Sequence, residues 1–244
     1  MKKLISIPFS ILYVIALVLI LVIFQPIQWF CFNVFGYSAQ KKSVDILNFF
    51  LQKSAYLIFS WYSVQGREKI PTGKPLIFVS NHQSLFDIMT IIWFLRKHHP
   101  KFISKIELGK GIPSVSYNLK YGGNVLIDRK DPKQALPVIK GLAEYIEKHK
   151  RSAVIFPEGT RSRNGQPKPF AESGLKILCK YAPNAYIVPL TINNSWKMLR
   201  YGNFPMGLGT NIKLTVHEPI AVKDYSFPEL LEKTKEVIIR DIKN

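Results

Sequence analysis

The chain opens on an apolar run. From Leu4 to Phe24 every residue but two serines and a proline is aliphatic or aromatic. Twenty-one residues make a helix of about 31 Å at 1.5 Å per residue, close to the roughly 30 Å hydrocarbon core of a bilayer. No charge occurs from residue 4 to residue 40. Pro26 interrupts the run, and Ile27 to Val34 resumes it with Trp29, Phe30 and Phe32. A second apolar stretch, Val44 to Val64, carries Phe49, Phe50, Tyr56, Phe59, Trp61 and Tyr62, aromatics of the kind that favour a membrane interface. The 37 uncharged residues exceed one span and fall short of two full ones. They predict two membrane-associated helices broken near Gln25-Pro26, as a hairpin entering one leaflet or as a span plus an interfacial helix.

Beyond residue 64 the pattern shortens. Strand-like runs fall at Leu76–Ser80, Lys101–Ser104, Asn124–Ile127, Ala153–Phe156, Ala185–Ile192 and Ile212–His217. Helical spacing occupies Ser84–Arg96, Asp131–His149, Ala171–Tyr181 and Phe227–Ile242. In the second of these Asp131 is the N-cap and Pro132 the first helical residue. Leu136, Ile139, Leu142, Ala143 and Ile146 form its apolar stripe, and Pro137 threatens a kink in its first turns. Strands alternating with helices predict an α/β fold, a mixed central sheet flanked by helices, preceded by the two-helix membrane segment. The expected division is 1–64 for the anchor and 65–244 for the α/β domain, with no internal repeat or long linker.

Charge changes the picture next. Lys plus Arg is 34 against 16 Asp plus Glu, a formal net charge of +18, which points to nucleic acid, a membrane surface or a phosphorylated substrate. The apolar N-terminus favours the membrane, and no nucleic-acid recognition motif is present. Met1-Lys2-Lys3 before an apolar run imitates a signal peptide, but the run is long and no small-x-small cleavage site follows promptly. Lys2 and Lys3 on one flank and Lys41 and Lys42 on the other suit a hairpin with both ends in the cytoplasm. Cys31 and Cys179 sit in unlike contexts, with no cysteine or histidine at metal-ligand spacing, so neither a disulfide nor a metal site is expected.

The chemistry gathers after strand ends, where open α/β sheets keep their sites. Asn81-His82-Gln83-Ser84-Leu85-Phe86-Asp87 follows the first run. Five residues on a regular helix turn through about 140° net, so His82 and Asp87 meet only if His82 precedes the helix and Asp87 lies in its first turn. With Ser84 as N-cap, Asp87 would sit at N3 and accept from one ring nitrogen, leaving the other to take a proton from a hydroxyl. The plainer alternative is that Ser84 and Asp87 only cap a helix. Phe156-Pro157-Glu158-Gly159-Thr160-Arg161-Ser162 follows another strand. Gly159 lets the backbone approach an oxyanion, Arg161 can grip a phosphate with two parallel bonds, and Glu158 can orient Arg161 or bind a glycerol hydroxyl. An ordinary β-turn is the alternative. Gly123 to Arg129 is a third strand ending in an arginine. No Gly-x-Ser-x-Gly elbow supports a serine nucleophile. His98-His99 read as a solvated basic loop rather than a metal site.

These blocks, with Ile187-Val188-Pro189-Leu190 after them, resemble in type and order the glycerolipid acyltransferase family, and most nearly its bacterial 1-acylglycerol-3-phosphate branch. The resemblance covers roughly residues 60 to 220. It implies acyl transfer from a thioester, acyl-CoA or acyl-carrier protein, to the free hydroxyl of lysophosphatidic acid, with no metal or organic cofactor. It implies His82 and Asp87 as the catalytic pair, and acceptor glycerol phosphate at Arg129, Glu158, Gly159, Thr160 and Arg161. Ser104 to Leu108 resembles a further segment of the family, in which Lys105 would stabilise an oxyanion or touch phosphate, a plain surface lysine being the alternative. Gly165 to Gly174 departs from the usual pattern, so donor contacts there stay unassigned. Another lysophospholipid or glycerol 3-phosphate as acceptor, and a non-enzymatic basic adaptor on anionic lipid, are the competing readings. The expected location is the cytoplasmic membrane, catalytic domain facing the cytoplasm.

Overall fold

The computed structural model describes residues 2–243. Two antiparallel helices come first, α1 (Lys2–Phe35) and α2 (Tyr37–Ser54). The strands are β1 (Trp61–Gln65), β2 (Leu76–Ser80), β3 (Pro100–Lys105), β4 (Val125–Ile127), β5 (Ser152–Ile155), β6 (Tyr186–Asn193), β7 (Asn211–Val216) and β8 (Ile220–Ala221). The remaining helices are α3 (Phe86–Phe94), α4 (Val115–Tyr121), α5 (Pro132–His149), α6 (Ser173–Tyr181) and α7 (Phe227–Arg240). One sheet holds all the strands in the order β1-β7-β6-β2-β5-β3-β4, with β8 also on β6. β6, β2, β5, β3 and β4 run parallel; β7 and β8 are antiparallel to β6, and β1 is parallel to β7. The α/β class with a mixed sheet is as expected.

Side chains alternate across the sheet and build two cores. Leu76, Phe78 and Val154 face α1, α2 and α3 in a layer that includes Tyr13, Phe24, Leu47, Leu51 and Phe86. Ile77, Val79, Ala153 and Ile155 face the other way, onto Ile139, Leu142 and Ile146 of α5, Leu175 of α6 and Leu230 of α7. α5 starts as its sequence dictates: Asp131 accepts from the N–H groups of Lys133 and Gln134, and Pro132 occupies N1. Pro137 is carried within the helix.

Three expectations about the N-terminus need correction. The helix does not break at Gln25-Pro26; α1 runs through Pro26, and the chain reverses at Gly36, whose φ of 77° and ψ of −166° suit a residue without Cβ. Around the proline the helix is held from outside: Ser114 donates its N–H to Gln25 Oε1 at 2.5 Å and its hydroxyl to Leu21 O at 2.6 Å. Second, the stretch from Val44 is not lipid-facing throughout, since Val44, Leu47 and Leu51 are buried. Third, Trp61 to Gln65 is a strand of the sheet, paired with β7 from Trp61↔Asn211 to Gln65↔Thr215, so the sheet begins before residue 65. The hairpin covers the core beneath it, and loss of residues 1–64 would bare Phe78, Phe86 and their neighbours.

α1 is apolar outward, and its inward face mixes core side chains such as Tyr13 and Phe24 with buried polar ones. Ser6, Ser10 and Gln28 are buried, while Leu4, Ile11, Leu12, Ile15, Val18, Leu19, Val22 and Trp29 are exposed. Ser10 Oγ accepts from Met206 N–H at 2.8 Å. An exposed face of this kind has water as its poorest solvent. Among the described residues α1 is the one helix long and apolar enough to cross a membrane.

Candidate active site

Four of the blocks singled out in the sequence gather at the carboxyl edge of the parallel strands: His82 after β2, Lys105 at the tip of β3, Arg129 after β4, and Glu158 to Arg161 after β5, while Ile187 to Leu190 lies within β6. Asn81 clamps the end of β2 to β6. Its amide donates to Ile192 O at 2.8 Å and accepts from Ile192 N at 2.7 Å. His82 is thereby released into a turn instead of continuing the strand.

α3 starts at Phe86 with Leu85 as its N-cap, one residue later than a Ser84 N-cap would give, and Asp87 is in its first turn. Asp87 is fully buried, and its Oδ2 lies 2.8 Å from His82 Nδ1. The same oxygen accepts from Gln83 N at 2.7 Å and Ser84 N at 2.9 Å, so the carboxylate closes the turn around the histidine. Its Oδ1 accepts from Ser195 Oγ, and more distantly from Ser84 Oγ at 3.4 Å. With Nδ1 turned to the carboxylate, Nε2 is the ring atom left for a substrate proton. Phe156 stacks on the imidazole with centroids 4.2 Å apart and planes 21° apart, fixing the ring plane. The backbone of His82 is tied on both sides: its N–H donates to Glu158 Oε1 at 3.2 Å, and its C=O accepts from Ser162 N at 2.8 Å.

The Phe156–Gly159 turn closes on a 3.0 Å bond from Gly159 N to Phe156 O, with Gly159 at φ 67°. Glu158 is buried, and burial pushes its carboxyl up to about 7, against the bond from His82 N–H. Its Oε2 has no hydrogen-bond partner among the described residues. Arg129 reaches across from β4 and donates Nη1 to Gly159 O. Thr160 is exposed, Arg161 half-buried. Lys168, which sequence reasoning left unassigned, braces this turn: its Nζ donates to Thr160 Oγ1 and Arg161 O, both at 2.9 Å. Lys105 stands exposed, level with Ile127 of β4, on the rim rather than beside His82. The fold thus brings His82, Asp87, Glu158, Gly159 and Arg129 into one bonded network and leaves Lys105 outside it.

Ser195 was missed from sequence. It follows β6 and is 108 positions from Asp87, so spacing carries no signal of it. Phe156 was visible as a motif residue, but its stacking was not. Among the described residues no group of three or more His, Cys, Asp or Glu could hold a metal ion. The arrangement can accept a proton at His82 Nε2, stabilise the resulting imidazolium with Asp87, and hold an anion near the Gly159 turn.

Residues 62–193 match the family model described as Acyltransferase. A Helicobacter pylori protein named 1-acyl-sn-glycerol-3-phosphate acyltransferase is 38% identical over 130 residues, 52% of this chain and 52% of that one. A chloroplastic Brassica napus protein of the same enzyme name is 31% identical over 166 residues, 67% of this chain and 46% of that one. The chain spans about half the length of these curated relatives. The crystal structure of the 1-acyl-sn-glycerophosphate (LPA) acyltransferase PlsC from Thermotoga maritima superposes with a TM-score of 0.82 at 26% identity. That match covers 99% of this chain and 96% of the other.

Proposed function

The chain belongs to the Acyltransferase family, and from that premise we propose that it moves an acyl group from a thioester to the free hydroxyl of lysophosphatidic acid, giving phosphatidic acid and a free thiol. The observation that carries the reading is the His82–Asp87 contact at 2.8 Å, made on a buried carboxylate next to an arginine-bearing glycine turn.

In the proposed reaction the acceptor phosphate pairs with Arg129 and Arg161, which leaves the glycerol hydroxyl to reach His82. His82 Nε2 takes the hydroxyl proton as the oxygen attacks the thioester carbonyl carbon. The C–O bond forms, the tetrahedral intermediate collapses, and the C–S bond breaks. The thiolate leaves with the proton from His82, so the enzyme returns unchanged. Asp87 supports the transient imidazolium, and the chain needs no covalent intermediate of its own. Lys105 on the rim is a candidate partner for anionic parts of either substrate.

The outward apolar face of α1 supports a membrane-bound enzyme, anchored by α1 with its sheet on the cytoplasmic side. Such a protein stays with the membrane through a high-salt wash and leaves it in detergent; release by salt alone contradicts this anchor. A basic adaptor without catalysis has no use for a buried carboxylate held on a histidine.

The direct test is the purified full chain in detergent, given lysophosphatidic acid and either acyl-CoA or acyl-carrier protein. Phosphatidic acid and thiol in equal amounts are expected. Preferential acylation of glycerol 3-phosphate or of a lysophospholipid with another headgroup moves the acceptor assignment. No acyl transfer to any of them overturns the reading.

A further inference from the structure

The inward face of α1 reaches Asp87 from two sides. Tyr13 is fully buried and packs on Phe86, the residue before Asp87, with ring centroids 6.4 Å apart. Ser10 lies on the same helical face and is also fully buried. Its hydroxyl donates to Ser6 O at 2.6 Å, which leaves its lone pairs for Met206, whose N–H donates to Ser10 Oγ at 2.8 Å. Met206 belongs to the segment 194–210 that joins β6 to β7. That segment is a braced strap. Gly207 donates its N–H to Met198 O at 2.8 Å, and Arg200 donates Nε to Lys197 O at 2.9 Å and Nη2 to Leu208 O at 2.6 Å. Its ends are tied as well: Asn194 Nδ2 donates to Asn211 O, and Thr210 N–H to Ser60 Oγ, both at 3.0 Å. A Cβ on Gly207 would overlap Lys197 O and crowd the Arg200 guanidinium, so the strap has little slack. Near its start Ser195 donates its hydroxyl to Asp87 Oδ1. Ser10, Met206, Met198 and Ser195 are all buried, so water does not compete for these bonds. A closed path of contacts therefore runs from α1 to the carboxylate that faces His82.

We propose that Ser10 is a positioning residue for the reaction: through Met206, the strap and Ser195 it fixes the Asp87 carboxylate against His82. α1 then sets the geometry of the base in addition to anchoring the chain. The inference rests on the transfer reaction above, with His82 as its base. A serine on the buried face of an apolar helix adds little by packing, and here both of its hydrogen-bonding capacities are used. If the strap loosens, Ser195 drifts and Oδ1 with it. A carboxylate is rigid, so Oδ2 turns as well and its contact with Nδ1 is misaligned; small misplacements of a catalytic group are costly in rate. Arg129 and Arg161 follow β4 and β5 and stand outside the strap, so the effect falls on turnover and not on acceptor binding.

The experiment is a double-mutant cycle on the full chain in detergent: Ser10→Ala, Ser195→Ala and the two together, each with kcat, both KM values and a denaturant titration. Ser10→Ala should lower kcat about three- to tenfold with both KM values within about twofold of wild type. In the Ser195→Ala background the same change should lower kcat less than about twofold, because the path to Asp87 is already cut. Ser10→Cys keeps the shape and a weak acceptor and should fall between serine and alanine. Gly207→Ala disturbs the strap from the domain side and should show the same dependence on Ser195, so the cycle stands even where Ser10→Ala is too unstable to assay. Gln28→Ala, which removes a bond to Ser114 O elsewhere on the inward face of α1, should keep wild-type kcat and controls for general loosening of the helix. Unchanged kcat in Ser10→Ala overturns the proposal. So does a loss that multiplies in full with that of Ser195→Ala, since independent damage adds in free energy and coupling along one path does not. Failure of the transfer reaction itself reads differently: the wild-type chain would then form no phosphatidic acid.

Discussion

Replacing Asp87 by asparagine separates what the carboxylate does for the fold from what it does for the reaction. Asp87 Oδ2 accepts from His82 Nδ1, Gln83 N and Ser84 N at 2.7–2.9 Å. The two backbone N–H groups force an asparagine to present its oxygen at this position, and Ser195 Oγ can accept from the amide nitrogen on the other side. The tautomer of His82 is therefore preserved, and the variant loses charge but not geometry. Three hydrogen bonds to an ionised acceptor become neutral ones, at about 1 kcal/mol each, so the fold loses about 3 kcal/mol in all. The reaction loses more. An imidazolium and a carboxylate about 4 Å apart between charge centres attract by about 4 kcal/mol at an effective dielectric of 20. Losing that in the transition state lowers turnover about 10³-fold. Asp87→Ala, which strands the Gln83 and Ser84 N–H groups and frees the ring, should be worse on both counts. The assay is kcat in detergent at saturating substrates beside a denaturant titration of the same preparation. A folded Asp87→Asn protein that keeps more than a tenth of wild-type turnover refutes the reasoning.

The other expectations test the shell around that pair. Ser195→Ala removes the donor to Asp87 Oδ1 and should lower kcat about tenfold with acceptor KM within twofold, Ser195→Thr restoring most of it; unchanged kcat in the alanine variant removes Ser195 from the positioning network. Arg129→Ala and Arg161→Ala should each raise acceptor KM roughly 10–150-fold, the loss of a charge-assisted bond of about 1.5–3 kcal/mol, and lysine should rescue only partly; changes under twofold in both contradict the phosphate role. Glu158 carries a carboxyl raised to about 7 in the fold from the ordinary 4.5. The native state therefore holds the proton longer than the unfolded chain, and stability falls as pH rises from about 4.5 to about 7. Glu158→Gln should flatten this decline in chemical denaturation curves while still accepting from His82 N–H, and an unaltered slope denies that Glu158 causes it.

Much of this molecule was legible in its sequence where local physics decides. Leu76–Ser80 is fully buried on both faces, and an uninterrupted apolar run is the mark of such a strand. Asp131-Pro132 fixed the start of α5 because a cap and a first-turn proline act within one turn. His82 and Asp87 could be paired because their contact closes inside a single loop. The departures arise where distant chain decides. Pro26 looked like a break, but a proline ends a helix only if nothing compensates, and Ser114, 88 positions on, bonds to the turn before it. Trp61 to Gln65 looked like the tail of an interfacial segment because its partner strand, Asn211–Val216, is about 150 residues away. Ser195 is invisible for the same reason. The His82–Asp87 contact was local and could be read; the residues that hold it in place were not.

The most direct test of the account is the turnover of His82→Ala with lysophosphatidic acid and an acyl thioester, beside the acceptor's Kd for the same protein. Loss of the general base should lower kcat by about 10²–10⁴-fold while Kd stays within about twofold of wild type. Near-normal turnover in His82→Ala contradicts the assignment of His82 as the base.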